Sequence, residues 1–291
     1  MFSYFLSQMK KGLITLVLLI ILALAVTIAY FASQYTVIQE NTSISSIQLF
    51  NAEWRGTIHI TGDTYFPPWN QLNIAPGTTI LFEKEPDIEN TEWVSHADAY
   101  IKDHNDPTGR EGYSKTHYEL YGKIIALGTA DQPILFTSAQ TEPEYADWDE
   151  LILASDSILD HVELAYAHNG ININGNNIII KNSKIHDSLW SCIDIFSINN
   201  QIENNEIYHC WHQAIGVKVK GVNTIEQNNI HDSQLSINCE FDANPSIRKN
   251  TFKSAPLNSE CPKGEDNIDK VGKYDTAGGT YERKLVYPAM E

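Results

Sequence analysis

The stretch ININGNNIIIKNSKIHDSLWSCIDI, residues 171–195, decides the fold. It opens on Ile171-Asn172-Ile173 and closes on Ile193-Asp194-Ile195, 22 residues later. Ile215 and Ile237 continue the first column at the same spacing, and Val217 and Cys239 continue the second. A third column runs Gly175, Ser197, Val219 and Phe241. Within each unit come Ile180, Ile202, Ile225 and Ile247, then Ile185, Ile207, Ile230 and Phe252; one added residue near Gly221–Val222 makes the single 23-residue step. A fixed period with branched residues at alternate positions describes a short coil of strands. One coil alone leaves its apolar face in water, so coils stack and bury it against one another. Side chains that alternate with the isoleucines then point out of the solenoid.

Outside the regular units the same logic loosens. Ile58 and Ile60 alternate with Thr57, His59 and Thr61 as in a strand. The segment LNIAPGTTILF, residues 72–82, reads strand, Pro-Gly turn, strand, and GKIIALGTADQPILFTS, residues 122–138, repeats that order. A looser unit, SILDHVELAYA, occupies residues 157–167 and leads into the 22-residue coils. Ser183, Asn205, Asn228 and Asn250 stand two residues before the Ile185-type positions. Stacked at a strand spacing of about 4.8 Å, they form a turn ladder that bonds up and down the stack and suits a left-handed backbone, and so they are structural.

These segments together, with SILDHVELAYAHNGI and the Ile/Asn coils, resemble the right-handed parallel β-helix repeat proteins over residues 54–255. That superfamily is pectate-lyase-like in fold and includes secreted, surface-attached and NosD-like periplasmic members. The resemblance implies an all-β solenoid with coils of about 22 residues. It implies little about activity, because this fold carries lyases, hydrolases, adhesins and passive spacers.

The N-terminus adds a second element. Residues 12–32 are apolar and uncharged over about the length that crosses a bilayer core. Lys10 and Lys11 precede them and no basic residue follows before Arg55, which puts the N-terminus inside and the rest outside the cytoplasmic membrane. A cleaved signal peptide has a shorter apolar run of about 7–15 residues, and only Thr27-Ile28-Ala29 is a passable cleavage site here. The expected layout is a cytoplasmic stub over 1–11, a transmembrane anchor over 12–32, a stalk over 33–50, the β-helix over 51–255 and a C-terminal cap over 256–291. Residues 83–121 form a long polar excursion that carries Asp98, Asp103, His104, Asp106, Arg110, Glu111 and His117.

The 37 acidic against 20 basic residues give a formal charge of −17. That argues against nucleic acid as a partner and disfavours unaided binding of polyanions. Of the four cysteines, Cys239 shares the inward column of Val217 and Ile195, so it reads as a small buried hydrophobe. Cys210 stands with Ser188 and Ser233, and Cys192 with Gly170, Ala214 and Ser236. A Cys192–Cys210 bridge between adjacent coils is left open, and no disulfide framework is needed to explain the fold.

The period also ranks the polar residues. His168, Trp190 and His212 form one outward column, Asp187, His209 and Asp232 a neighbouring one, with His186, Tyr208 and His231 beside it. Asn172, Asp194, Gly216 and Asn238 face out on the following strand. This corner supports three readings besides a packed turn ladder. As a glycan site it uses His168, Asn172, Trp190 and Trp211, flat rings beside hydrogen-bonding groups, with Asp194 and His212 in reach. As a lyase or hydrolase site it uses Asp194 as acid and His209 or His212 as base. As a metal site it uses Asp187, His209 and Asp232, whose imidazole and carboxylates suit zinc or copper. Calcium is the ion for the oxygen-rich DHNDPTGRE, residues 103–111, although an ordinary turn explains that stretch better and it lacks EF-hand spacing. The lyases and hydrolases resembled here use complete catalytic sets that do not map onto this chain. The expected function is a membrane-anchored β-helix that presents a surface to a polysaccharide or cell-envelope glycan. A glycan-active enzyme and a scaffold for a protein partner are the alternatives.

Overall fold

The computed structural model describes residues 14–15, 17–24, 35–38, 41–83, 118–253, 255, 261–262 and 267–269. The 24 strands among the described residues form one continuous stack of parallel pairings. Each regular coil carries three short strands, one on each of three faces. Ile179–Lys181, Asn200–Glu203, Asn223–Glu226 and Ser246–Arg248 build the first face. Lys184–Ser188, Glu206–Cys210, Asn229–His231 and Thr251–Lys253 build the second. The third holds Ala167–Ile173, Ser191–Ile195, Gln213–Val217 and Ile237–Cys239. A parallel strand cannot return by a hairpin, so the chain winds once around the axis before it pairs again.

The register follows the isoleucine columns. Ile171, Ile193, Ile215 and Ile237 are successive partners on the third face, as are Ile173, Ile195, Val217 and Cys239. Ile185, Ile207, Ile230 and Phe252 align on the second face, and Ile180, Ile202, Ile225 and Ile247 on the first. These side chains fill the interior. Truncating one of them to alanine would cost about 2–5 kcal/mol, because a stacked coil has little freedom to collapse into the cavity. The Gly175 column leaves this core: Gly175 and Ser197 are buried at a turn, and Phe241 is 76% exposed.

The asparagine ladder is present. The backbone N–H groups of Ser183, Asn205 and Asn228 donate to the side-chain oxygens of Asn205, Asn228 and Asn250 at 2.9–3.0 Å. The left-handed conformation belongs to the residue before each rung, Asn182, Asn204, Gln227 and Lys249, with φ between 52° and 58°. Asparagine tolerates this region better than most side chains.

Three expectations are corrected. Residues 33–50 do not form a stalk, because Tyr35–Ile38 pairs with Asn51–Trp54 and Thr42–Ile47 pairs with Thr57–Tyr65. The solenoid therefore begins by Tyr35. Cys239 is buried in the core but bridges Cys261, with Cα atoms 5.1 Å apart, so it is not an inert hydrophobe. Among the described residues it sits on the last third-face strand, and Cys261 in the tail supplies the partner. Cys192 and Cys210 are also bridged, Cα to Cα 5.5 Å, so two cross-links secure the C-terminal coils. Past the expected boundary at 255, Ile268–Asp269 adds one more strand against Thr251–Lys253.

Residues 17–24 are helical with exposed side chains, and among the described residues no helix is long and apolar enough to cross a membrane. The remainder of the 12–32 segment lies outside the described residues. So do residues 84–117, with Asp98, Asp103, His104, Asp106, Arg110, Glu111 and His117, and most of the 256–291 tail.

Candidate functional site

The corner between the second and third faces assembles much as the period implies. Trp190 N–H donates to the His168 carbonyl at 2.7 Å and His212 N–H to the Trp190 carbonyl at 2.9 Å, so the three residues climb the stack in succession. The Trp190 and His212 rings stack at 4.4 Å and 11°. Trp190, Trp211 and His212 are half-buried, and His168 is nearly enclosed with Nδ1 3.4 Å from Asp149 Oδ1.

The neighbouring column is a self-contained ladder. Asp187, His209 and Asp232 share the turn, each with φ near 50°. Asp187 accepts from His186 at 2.7 Å, His209 at 3.0 Å and the Tyr145 hydroxyl at 3.0 Å. Burial alone would raise its carboxyl, but these hydrogen bonds and the His186 charge outweigh it and hold Asp187 well below the usual carboxylate range. The Asp187 hydrogen bond raises His209 in turn, against partial desolvation. Asp232 is turned to His231 at 2.9 Å. Tyr208 lies between the His186 and His231 rings at 4.7 and 4.9 Å. The metal trio expected here, Asp187, His209 and Asp232, is not drawn into one ligand sphere: Asp187 is taken up by His186, His209 and Tyr145, and Asp232 by His231.

The catalytic trio is not brought together either. Asp194 accepts from Gln213 Nε2 at 2.8 Å and has Lys218 Nζ at 3.9 Å, on the third face, while His209 turns to Asp187 and His212 to Trp190. Burial pushes the Asp194 carboxyl up, opposed by Lys218 and by hydrogen bonds from Gln213 and Ser191.

Asn172, Asp194 and Asn238 do alternate with the core isoleucines, but all three are buried rather than open to solvent. They belong to a polar strip along the third face. Gln213 Oε1 accepts from Asn238 at 2.8 Å, and Glu240 accepts from Asn238 at 2.9 Å and from Lys218 at 2.6 Å. A Cβ on Gly216 would overlap Asp194 Oδ1 and Gln213 Nε2, which explains a glycine in that row. One coil group nearer the N-terminus, Glu150 Oε2 accepts from Asn169 and Asn172, both at 3.1 Å. Burial, then the charge of Asp149, push the Glu150 carboxyl up to about 8. Glu119, Asp149 and Glu150 each offer one oxygen within 4.8 Å of the others.

Glu119, Asp149, Glu150, Gln213, Lys218 and Glu240 are members of this strip that the sequence reading missed. A signal for one was present: stepping the 22-residue ruler back from Asn172 lands on Glu150. The structure adds an irregularity there, since Asn172 pairs with Ile152 and Asn169 with Glu150 across a bulge.

Residues 151–268 match the family model described as the right handed beta helix region. With parallel strands stacked in three faces over those residues, the chain is a right-handed parallel β-helix repeat protein. A search of curated proteins finds no match. Among solved structures the chain is similar to the Dettilon tailspike protein (gp208), at 9% identity and a TM-score of 0.32, covering 80% of this chain and 61% of that one. The chain thus spans less than two thirds of that tailspike chain, and a likeness this loose carries no argument about activity.

Proposed function

We propose that this protein is a β-helix held at the outer side of the cytoplasmic membrane by its N-terminal helix, and that it binds carbohydrate where the second and third faces meet. The observation that carries the binding reading is the stacked Trp190–His212 pair, half-buried, at the margin of the Asn169–Asn172–Asp194–Gln213 strip. Sugar recognition needs a flat ring for the apolar face of a pyranose and polar groups for its hydroxyls. At this margin the reachable groups are the half-buried rings of Trp190, Trp211 and His212 and the half-buried amide of Asn169, which the buried strip behind holds in place. The anchor reading is supported by Lys10 and Lys11 ahead of an uncharged apolar segment, and by the exposed side chains of Val17 through Leu24. Pairing of all four cysteines supports an oxidising compartment.

A polysaccharide and glycan panel, probed with the full-length protein in detergent, tests the binding. Wild type should be retained on at least one glycan class, with retention falling about tenfold in Trp190→Ala or Trp211→Ala, the loss of one aromatic contact. Thermal denaturation checks that both variants fold. Absence of wild-type retention across the panel, or unchanged retention in both variants, contradicts the reading. The anchor is tested by alkaline extraction and protease digestion of intact spheroplasts: the chain should stay with the membrane and be cut from outside.

A further inference from the structure

We propose that Glu119, Asp149 and Glu150, together with the side-chain oxygen of Asn172, form a calcium site on the third face. The spacing is the first argument. One oxygen from each carboxylate lies within 4.8 Å of the other two. Calcium takes oxygen ligands at about 2.3–2.6 Å, so two ligands of one ion sit up to about 5 Å apart, and the group needs no rearrangement to hold it.

Enclosure is the second argument. Glu119, Asp149 and Glu150 are 5%, 2% and 1% exposed. Carboxylates this close and this dry repel one another without water to screen them, so they call for a cation or for protons between them. The lysine of the strip, Lys218, is bound to Glu240 and Asp194 several coils further on, and His168 Nδ1 stands 3.4 Å from Asp149 Oδ1, at one edge of the group.

A separate observation points to a ligand. Glu150 Oε1 and Asn172 Oδ1 are both buried and accept no hydrogen bond. Asn172 donates its Nδ2 to Glu150 Oε2 at 3.1 Å, which fixes the amide against that carboxylate. Buried acceptors ordinarily find a donor. Oxygens left without one, next to clustered carboxylates, are what a hard cation coordinates. Asp187 is the contrast, since His186, His209 and Tyr145 already occupy its oxygens.

The donor set selects the ion. Carboxylates and an amide oxygen suit calcium, whereas zinc and copper favour imidazole or thiolate. Magnesium demands contacts of about 2.0–2.1 Å in a strict octahedron, a tighter cage than this group supplies. The positions are set by backbone pairing: Glu119 C=O accepts from Thr64 N–H at 2.9 Å, and Asp149 N–H donates to the Tyr118 carbonyl at 3.1 Å. The seat therefore exists before an ion arrives.

The test uses the full-length protein in detergent, stripped with a chelator and titrated with calcium chloride by calorimetry and by thermal denaturation. One calcium should bind per chain, and the melting temperature should rise by about 5 °C at a hundredfold excess over Kd. Glu150→Gln and Asn172→Leu should each weaken binding at least tenfold, while Asp242→Asn, an exposed carboxylate far along the chain, should bind as wild type. Should a variant fail to fold, the stripped and reloaded wild type still decides. No calcium-dependent heat or melting shift in wild type overturns the proposal. So does undiminished binding in Glu150→Gln, or stoichiometric zinc with no calcium; protons shared among the carboxylates would then be the explanation of the cluster.

Discussion

The His/Asp ladder of the second face and the carboxylate strip of the third differ in how their polar groups are balanced. In the ladder, donors and acceptors meet: His186, His209 and Tyr145 on Asp187, and His231 on Asp232. In the strip, oxygens outnumber the protons offered to them around Glu150, and the buried acceptors Glu150 Oε1, Asn169 Oδ1 and Asn172 Oδ1 are left over. Residue chemistry alone ranks the ladder first, since histidine, aspartate and tyrosine are the common catalytic and metal-binding types. The balance reverses that ranking. A set of groups satisfied by one another holds a turn together, whereas a set with surplus charge waits for something else.

The sharpest way to break the comparison is at Gly216. Gly216→Ala forces a methyl into the Asp194–Gln213 contact and should cost about 2–3 kcal/mol, read as a lower midpoint in denaturant. A change below about 0.5 kcal/mol would mean that the strip is loosely packed. The next effect belongs to the ladder. Asp187→Asn removes the charge that His186 and His209 share and should destabilise by about 1.5 kcal/mol, a charge-assisted hydrogen bond without strong desolvation.

A smaller, pH-dependent effect follows from the same pair. His209 is raised, so its contribution is complete below its unfolded value and fades as pH rises through its folded one. Asp187 is lowered, so its contribution is complete above its unfolded value and is lost as pH falls through its folded one. The ladder should therefore be strongest between about pH 4 and 6.5, and in a pH series of denaturation midpoints the falls on either side of that window should flatten in Asp187→Asn. The smallest change is Tyr208→Phe, which keeps the ring between His186 and His231 and should shift stability by less than about 0.5 kcal/mol.

Much of this molecule is legible from spacing. The isoleucine columns, the Asn205–Asn228–Asn250 ladder and the succession His168, Trp190, His212 all follow from one period, because stacked coils keep the same residue at the same height. Where the period is interrupted, legibility stops. Glu119 falls within the stretch assigned to the excursion and Glu150 sits at a bulge, so neither belongs to a clean column, and their meeting depends on the pairing of Leu120 with Leu151. Cys261 lies beyond the last regular coil, with no register to set it opposite Cys239. The first coil was also hidden: Tyr35–Ile38 and Thr42–Ile47 are short, and Thr42–Ile47 is mostly polar with a single buried residue, Ile44. Nor can alternation distinguish an outward side chain in solvent from one that is covered, which is why Asn172 and Asp194 were expected in the open.

The central claim is that binding belongs to the margin of the third-face strip and not to the ladder beside it. Retention of the full-length protein on its best glycan, compared between Trp190→Ala, Asn169→Ala and His209→Ala, tests this most directly. The account predicts about tenfold weaker retention in the first two and wild-type retention in the third. Loss of binding in His209→Ala, with Trp190→Ala and Asn169→Ala unaffected, would contradict it.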